Sequence, residues 1–110
     1  MKKTSTRILF PIILLLLGHL ALAAEPGVTE VDIIKFKFTP AEITINKGDK
    51  VVWTNKEKRQ YHSVWFEALG EPEPDYLFPG DSYERVFKEA GDFPYRCGPH
   101  PEMRGMVHVK

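Results

Sequence analysis

One cysteine, Cys97, is the only thiol in this 110-residue chain. No disulfide can form within it, although small exported domains often depend on disulfides. An excess of charge of either sign is also missing: 15 Lys and Arg face 15 Asp and Glu. That balance excludes a nucleic-acid surface built on a basic surplus. Beyond the first two dozen residues there is no long apolar run, no internal repeat and no helical periodicity. A P-loop, a nucleophile elbow and a His-Glu-x-x-His pair are all absent, which removes the enzyme classes those motifs mark.

The one apolar run, Ile8 to Leu22, follows Lys2, Lys3 and Arg7 and ends in Ala21-Leu22-Ala23. A positive start, a short apolar stretch and small residues at a cleavage point describe a secretory signal peptide, residues 1–23. Pro11, Gly18 and His19 interrupt a run already short for a membrane span, so cleavage is expected rather than anchoring. His19 then leaves with the signal. The expected mature chain, 24–110, carries 12 basic and 15 acidic residues, a net charge of −3. It is expected to be one small periplasmic domain, monomeric and without membrane contact.

Short alternating segments separated by turns fill the mature chain. Val31 to Phe38 reads as one strand, with Ile34, Phe36 and Phe38 inward and Lys35 and Lys37 outward. Ile43 and Ile45 mark a second strand, Val51 to Thr54 a third, and His62 to Phe66 a fourth. Residues 67–80 hold three prolines and two glycines and are expected to be irregular. Ser82 to Phe87, Phe93 to Arg96 and Gly105 to Val109 complete the set. Seven to eight such strands predict an all-β, Greek-key β-sandwich.

The chemistry gathers in Cys97-Gly98-Pro99-His100-Pro101-Glu102-Met103. A thiolate, an imidazole and a thioether stand at i, i+3 and i+6, in a loop that Pro99 and Pro101 stiffen. Two His and one Cys with a weak axial Met form the electron-transfer copper arrangement. His62 is the candidate second histidine. His108 competes, but alternation in Met106-Val107-His108-Val109 turns it outward. Met106 is the second candidate for the axial position after Met103. Zinc also takes Cys and His, yet a structural zinc site wants four strong ligands, and a thioether is a poor one.

These residues carry a family resemblance. From Phe36-Lys37-Phe38-Thr39-Pro40 to Lys110 the chain resembles the cupredoxins of the plastocyanin/azurin family, and its Cys-x-x-His-x-x-Met loop followed by Arg104-Gly105 is similar to that of the amicyanins. Plastocyanins place their Met two residues later, where Gly105 stands here. Many relatives carry Asn after the upstream His; here Ser63 stands there, with a hydroxyl available to tie the two ligand segments together. The resemblance implies one type 1 copper held by His62, Cys97, His100 and Met103, and a one-electron carrier rather than an enzyme. It implies electron exit through His100 across an apolar patch, for which Pro99, Pro101, Gly105 and Met106 are candidates. It also implies redox partners such as a dehydrogenase and a c-type cytochrome. The alternative is a periplasmic protein of copper tolerance or delivery. The acidic run Glu67, Glu71, Glu73 and Asp75 is either a solvated face or a guide for a basic partner.

Overall fold

The structure is a computed structural model, and it describes residues 25–110. The expected signal peptide, 1–23, lies outside the described residues. Seven strands form two sheets: β1 (Val28–Ile34), β2 (Lys37–Thr39), β3 (Glu42–Ile45), β4 (Lys50–Asn55), β5 (Ser82–Val86), β6 (Gly91–Arg96) and β7 (Arg104–Val109). One sheet runs β2-β1-β4-β5 and the other β3-β7-β6. β1 lies parallel to β4 and β3 parallel to β7; the other pairs are antiparallel. The expected all-β sandwich is what the chain adopts.

Period-two burial explains the packing. Val31 and Ile33 from β1, Val51 and Trp53 from β4, and Val107 and Val109 from β7 all turn inward. Trp53 is fully buried and meets Phe66, Tyr83, Phe87 and Tyr95 at ring separations of 5.4–6.5 Å. These rings join the two sheets into one core. Gly105 faces Tyr95 across the β6–β7 ladder, and a Cβ there would collide with the Tyr95 ring. The glycine at 105 is thus a packing requirement of the core aromatic.

Two strand readings need correction. Val31 to Phe38 is a hairpin, not one strand. The chain reverses at Lys35 and Phe36, both with positive φ (54° and 58°), and Ile33 pairs with Phe38. Inward parity therefore belongs to Val31, Ile33 and Phe38, while Ile34 and Phe36 leave the core. The turn was hidden because two-residue hairpin turns with this backbone usually advertise themselves with Asn or Gly. His62 to Phe66 is extended but is no ladder strand. His62 bridges Leu77, Trp65 bridges Arg96, and between them the Ser63 amide points at Cys97 Sγ. The irregular reading of 67–80 holds, apart from a short 3-10 turn at Glu67–Leu69.

Candidate metal centre

Cys97 follows the last residue of β6, and the loop after it returns into β7. Two backbone bonds close this loop at its base: Cys97 N–H to Met103 O (3.0 Å) and Met103 N–H to His100 O (2.9 Å). Cys97 Sγ lies 3.5 Å from His62 Nδ1 and 3.5 Å from His100 Nδ1. The three donor atoms all fall within 4.8 Å of one another. Metal–nitrogen and metal–thiolate bonds of about 2.0–2.3 Å put trigonal donors about 3.6 Å apart. The cluster therefore has the spacing of one metal ion's ligands. Met103, in the same loop, is also buried. Met106 lies on the outer face of β7, one residue out of phase with the buried Val107 and Val109. His108 shares that outer face, held between Asp92 (2.7 Å) and Glu42 (3.0 Å), far from the cluster in chemistry and in place.

The surroundings fix each donor. Ser63 Oγ accepts the Gly98 N–H at 2.8 Å, so its hydroxyl does join the two ligand segments. A Cβ at Gly98 would crowd Ser63 Oγ and displace the end of the exposed Glu73 side chain. The Cys97 thiol is pushed up by burial, partly offset by the Ser63 and His100 backbone donors. A bound metal ion reverses that balance by taking the thiolate outright. Arg96 donates to the carbonyls of Cys97 (3.2 Å) and Gly98 (2.9 Å) and lies over the Trp65 ring, pinning the start of the loop.

Sequence reasoning missed Glu57. Its Oε2 accepts from His62 Nε2 at 2.9 Å and from the Phe36 amide at 2.9 Å. Burial works against the Glu57 carboxylate, but the Phe36 N–H and the His62 ring outweigh it and hold it below the usual range. An ionised carboxylate only accepts, so the His62 proton sits on Nε2 and Nδ1 is left as the donor atom facing Cys97. Asn55 steadies the loop that carries Glu57, donating to Gln60 O and Leu77 O and accepting from Glu57 N. Nothing in the local sequence marks this carboxylate. It joins the site through a hairpin 21 residues upstream and a histidine five residues downstream.

A family model described as copper binding proteins, plastocyanin/azurin family, matches residues 26–110. The chain belongs to that family. Amicyanin of Paracoccus denitrificans is 40% identical over 88 residues, 76% of this chain and 66% of that one, just under two thirds of the relative's length. Amicyanin-alpha of Methylorubrum extorquens is 38% identical over 91 residues, 79% of this chain and 76% of that one. Among solved structures, the Cu(I) form of an amicyanin variant superposes with a TM-score of 0.70 at 37% identity, covering 82% of this chain and 88% of that one. Copper is accordingly the metal this plastocyanin/azurin-type centre takes.

Aromatic rings that the sequence did not single out also stand beside the copper centre, next to the partly exposed Pro99 and exposed Pro101. Phe36 stands edge-on to both imidazoles, at 5.4 Å from His62 and 5.0 Å from His100. Tyr61 stacks on Tyr76 (5.0 Å) and approaches Phe78 and His100. Phe36, Tyr61, Tyr76 and Phe78 are all exposed. Gly105 and Met106 line a separate shallow hollow with Ala41, Glu42 and Arg104. The acidic run is also divided. Glu71 is held by both terminal nitrogens of Arg85, and Glu67 by Arg96. Of this run, only Glu73 and Asp75 have no ion-pair partner among the described residues.

Proposed function

We propose that the protein is a periplasmic one-electron carrier whose copper is held by His62, Cys97, His100 and Met103. The observation that carries this is the convergence of Cys97 Sγ with Nδ1 of both histidines at 3.5 Å. Copper supplies the Cu(I)/Cu(II) couple. The chain supplies fixed donors: Glu57 holds the His62 tautomer, Ser63 ties the upstream segment to the loop, and the 97–103 loop is closed by its own backbone. His62 and Cys97 are fully buried, so the centre exchanges electrons without exchanging ligands with water. His100 is half-buried beside exposed aromatic rings and is the route to a partner. That enclosure favours a resident redox metal over copper carried as cargo for tolerance or delivery. Residues 1–23 act as the export signal and 24–110 as the carrier domain. The partners are redox proteins, a c-type cytochrome among them and a dehydrogenase as donor, in keeping with the resemblance to amicyanins.

The test is the visible and EPR spectrum of the copper-loaded protein. One Cu(II) per chain with an intense thiolate-to-copper band is expected, and Cys97→Ser should abolish that band because the chain has no other thiol. A strong band in Cys97→Ser would overturn the assignment.

A further inference from the structure

Four cations surround one hollow next to the copper centre. Lys35, Lys56, Lys58 and Arg59, with Ile34, Glu57 and Gln60, line a surface depression of about 480 Å³. All four basic residues are exposed, and none pairs with a carboxylate among the described residues. The one acidic group in the hollow, Glu57, is already engaged by His62 and the Phe36 amide. Four like charges left side by side raise the energy of the isolated molecule slightly, and an opposing surface of carboxylates relieves that repulsion.

The hollow is joined to the electron route. Lys35 precedes Phe36 in the hairpin turn, and Phe36 touches both imidazoles edge-on. Glu57 lies in the hollow and orients His62. A protein seated here would therefore also cover Phe36 and the exposed side of His100. On the Tyr76 side, the free carboxylates are Glu73 and Asp75, since Glu67 and Glu71 are paired. Glu102 and Arg104, in and just after the ligand loop, are also exposed and outside the ion pairs, so the unpaired groups of these segments are five positive against three negative, despite the acidic balance of residues 24–110.

We propose that the hollow lined by Lys35, Lys56, Lys58 and Arg59 docks the acidic rim of the electron-transfer partner and sets that partner against Phe36 and His100. This rests on the carrier reading above and names the chemistry of its partner. The partner is a redox protein with carboxylates around an exposed cofactor edge. Such a charge pattern acts mainly on the rate of encounter, where steering is worth about 10–10³-fold at low salt.

The probe is one c-type cytochrome in two forms: the native lysine-rich protein and the same protein succinylated on its lysines. Stopped-flow electron transfer with the copper-loaded protein is followed from about 10 mM to 0.5 M salt. The succinylated form should react faster at low salt and slow as screening shortens the Debye length from about 30 Å to under 10 Å. The Lys35→Gln, Lys56→Gln, Lys58→Gln, Arg59→Gln variant should lose about tenfold or more of that low-salt rate, with its copper spectrum unchanged. Glu73→Gln with Asp75→Asn should not slow it. A native cytochrome that reacts faster than its succinylated form, or a quadruple variant with an unaltered rate, overturns the docking inference and leaves the carrier reading intact. A copper-loaded protein with a normal spectrum that exchanges electrons with neither form, nor with a small inorganic reductant, overturns both.

Discussion

Glu57→Ala tests whether the part-buried carboxylate orients His62, the proposed copper ligand, and its magnitude can be worked from the contacts. Two N–H groups lose their acceptor at once, His62 Nε2 and the Phe36 amide, each at 2.9 Å. Phe36 is 44% exposed, so water replaces the carboxylate at its amide with little loss. His62 is fully buried, and its Nε2–H loses a charge-assisted bond of about 1.5–3 kcal/mol. The Glu57 side chain is itself 12% exposed, so water can follow the truncation inward, which favours the lower end. The second cost falls on the metal. Without Glu57 the imidazole populates both tautomers and is free to turn, and loss of such a partner lowers metal affinity about 10–100-fold, or about 1.4–2.7 kcal/mol. Competitive titration against a copper chelator gives the affinity, and urea unfolding of the copper-free protein gives the stability. Glu57→Gln keeps a carbonyl acceptor and should recover most of both. Copper affinity within twofold of wild type in Glu57→Ala, with an unchanged urea midpoint, would refute the orienting role.

Other outcomes follow from the same contacts. Met103→Leu should keep the thiolate-to-copper band but move the reduction potential, while Met106→Leu on the outer face of β7 should leave it in place; the reverse pattern in voltammetry would reassign the axial ligand. Gly98→Ala should weaken both fold and copper binding, since its Cβ meets Glu73 and Ser63; a melting temperature equal to wild type would mean that those groups yield freely. His108 carries a raised pKa because Asp92 and then Glu42 accept its protons. Its stabilisation is therefore complete below the ordinary value of 6.5 and fades as pH rises through the higher folded-state value. The melting difference between wild type and His108→Gln should shrink from pH 5.5 to pH 9, by a small amount because the group is exposed. A pH-independent difference would contradict this.

What the sequence disclosed depended on distance along the chain. The Cys97-to-Met103 loop is one continuous segment with prolines at fixed points, and its donors could be read directly. Strands whose inward residues alternate without interruption, such as Val51-Trp53 and Val107-Val109, were equally legible. Failure came where periodicity met a local exception. Ile33-Ile34 puts two apolar residues side by side, so parity could be counted from either, and the turn at Lys35-Phe36 carries no glycine to betray it. His62 to Phe66 has strand composition but divides its backbone bonds among Leu77, Arg96 and a sulfur atom. Glu57 and the aromatic collar were out of reach altogether, because they reach the site only when segments from four parts of the chain are brought together.

The same exceptions explain how the centre stays fixed while its metal changes charge. An uninterrupted strand at 62–66 would spend the Ser63 amide on a neighbouring carbonyl. Instead that amide faces Cys97 Sγ at 3.4 Å, and the Ser63 hydroxyl takes the Gly98 N–H. An uninterrupted strand at 31–38 would leave no hairpin tip to place Phe36 on the imidazoles or its amide on Glu57. Each departure from regular structure thus supplies one restraint on a donor: Ser63 on the thiolate, Glu57 on His62, Phe36 on both rings. Removing any one leaves the sandwich core around Trp53 untouched, because none of these groups belongs to it. Copper-free protein should accordingly keep its cooperative fold, and the restraints should be felt in copper affinity and in the speed of electron exchange.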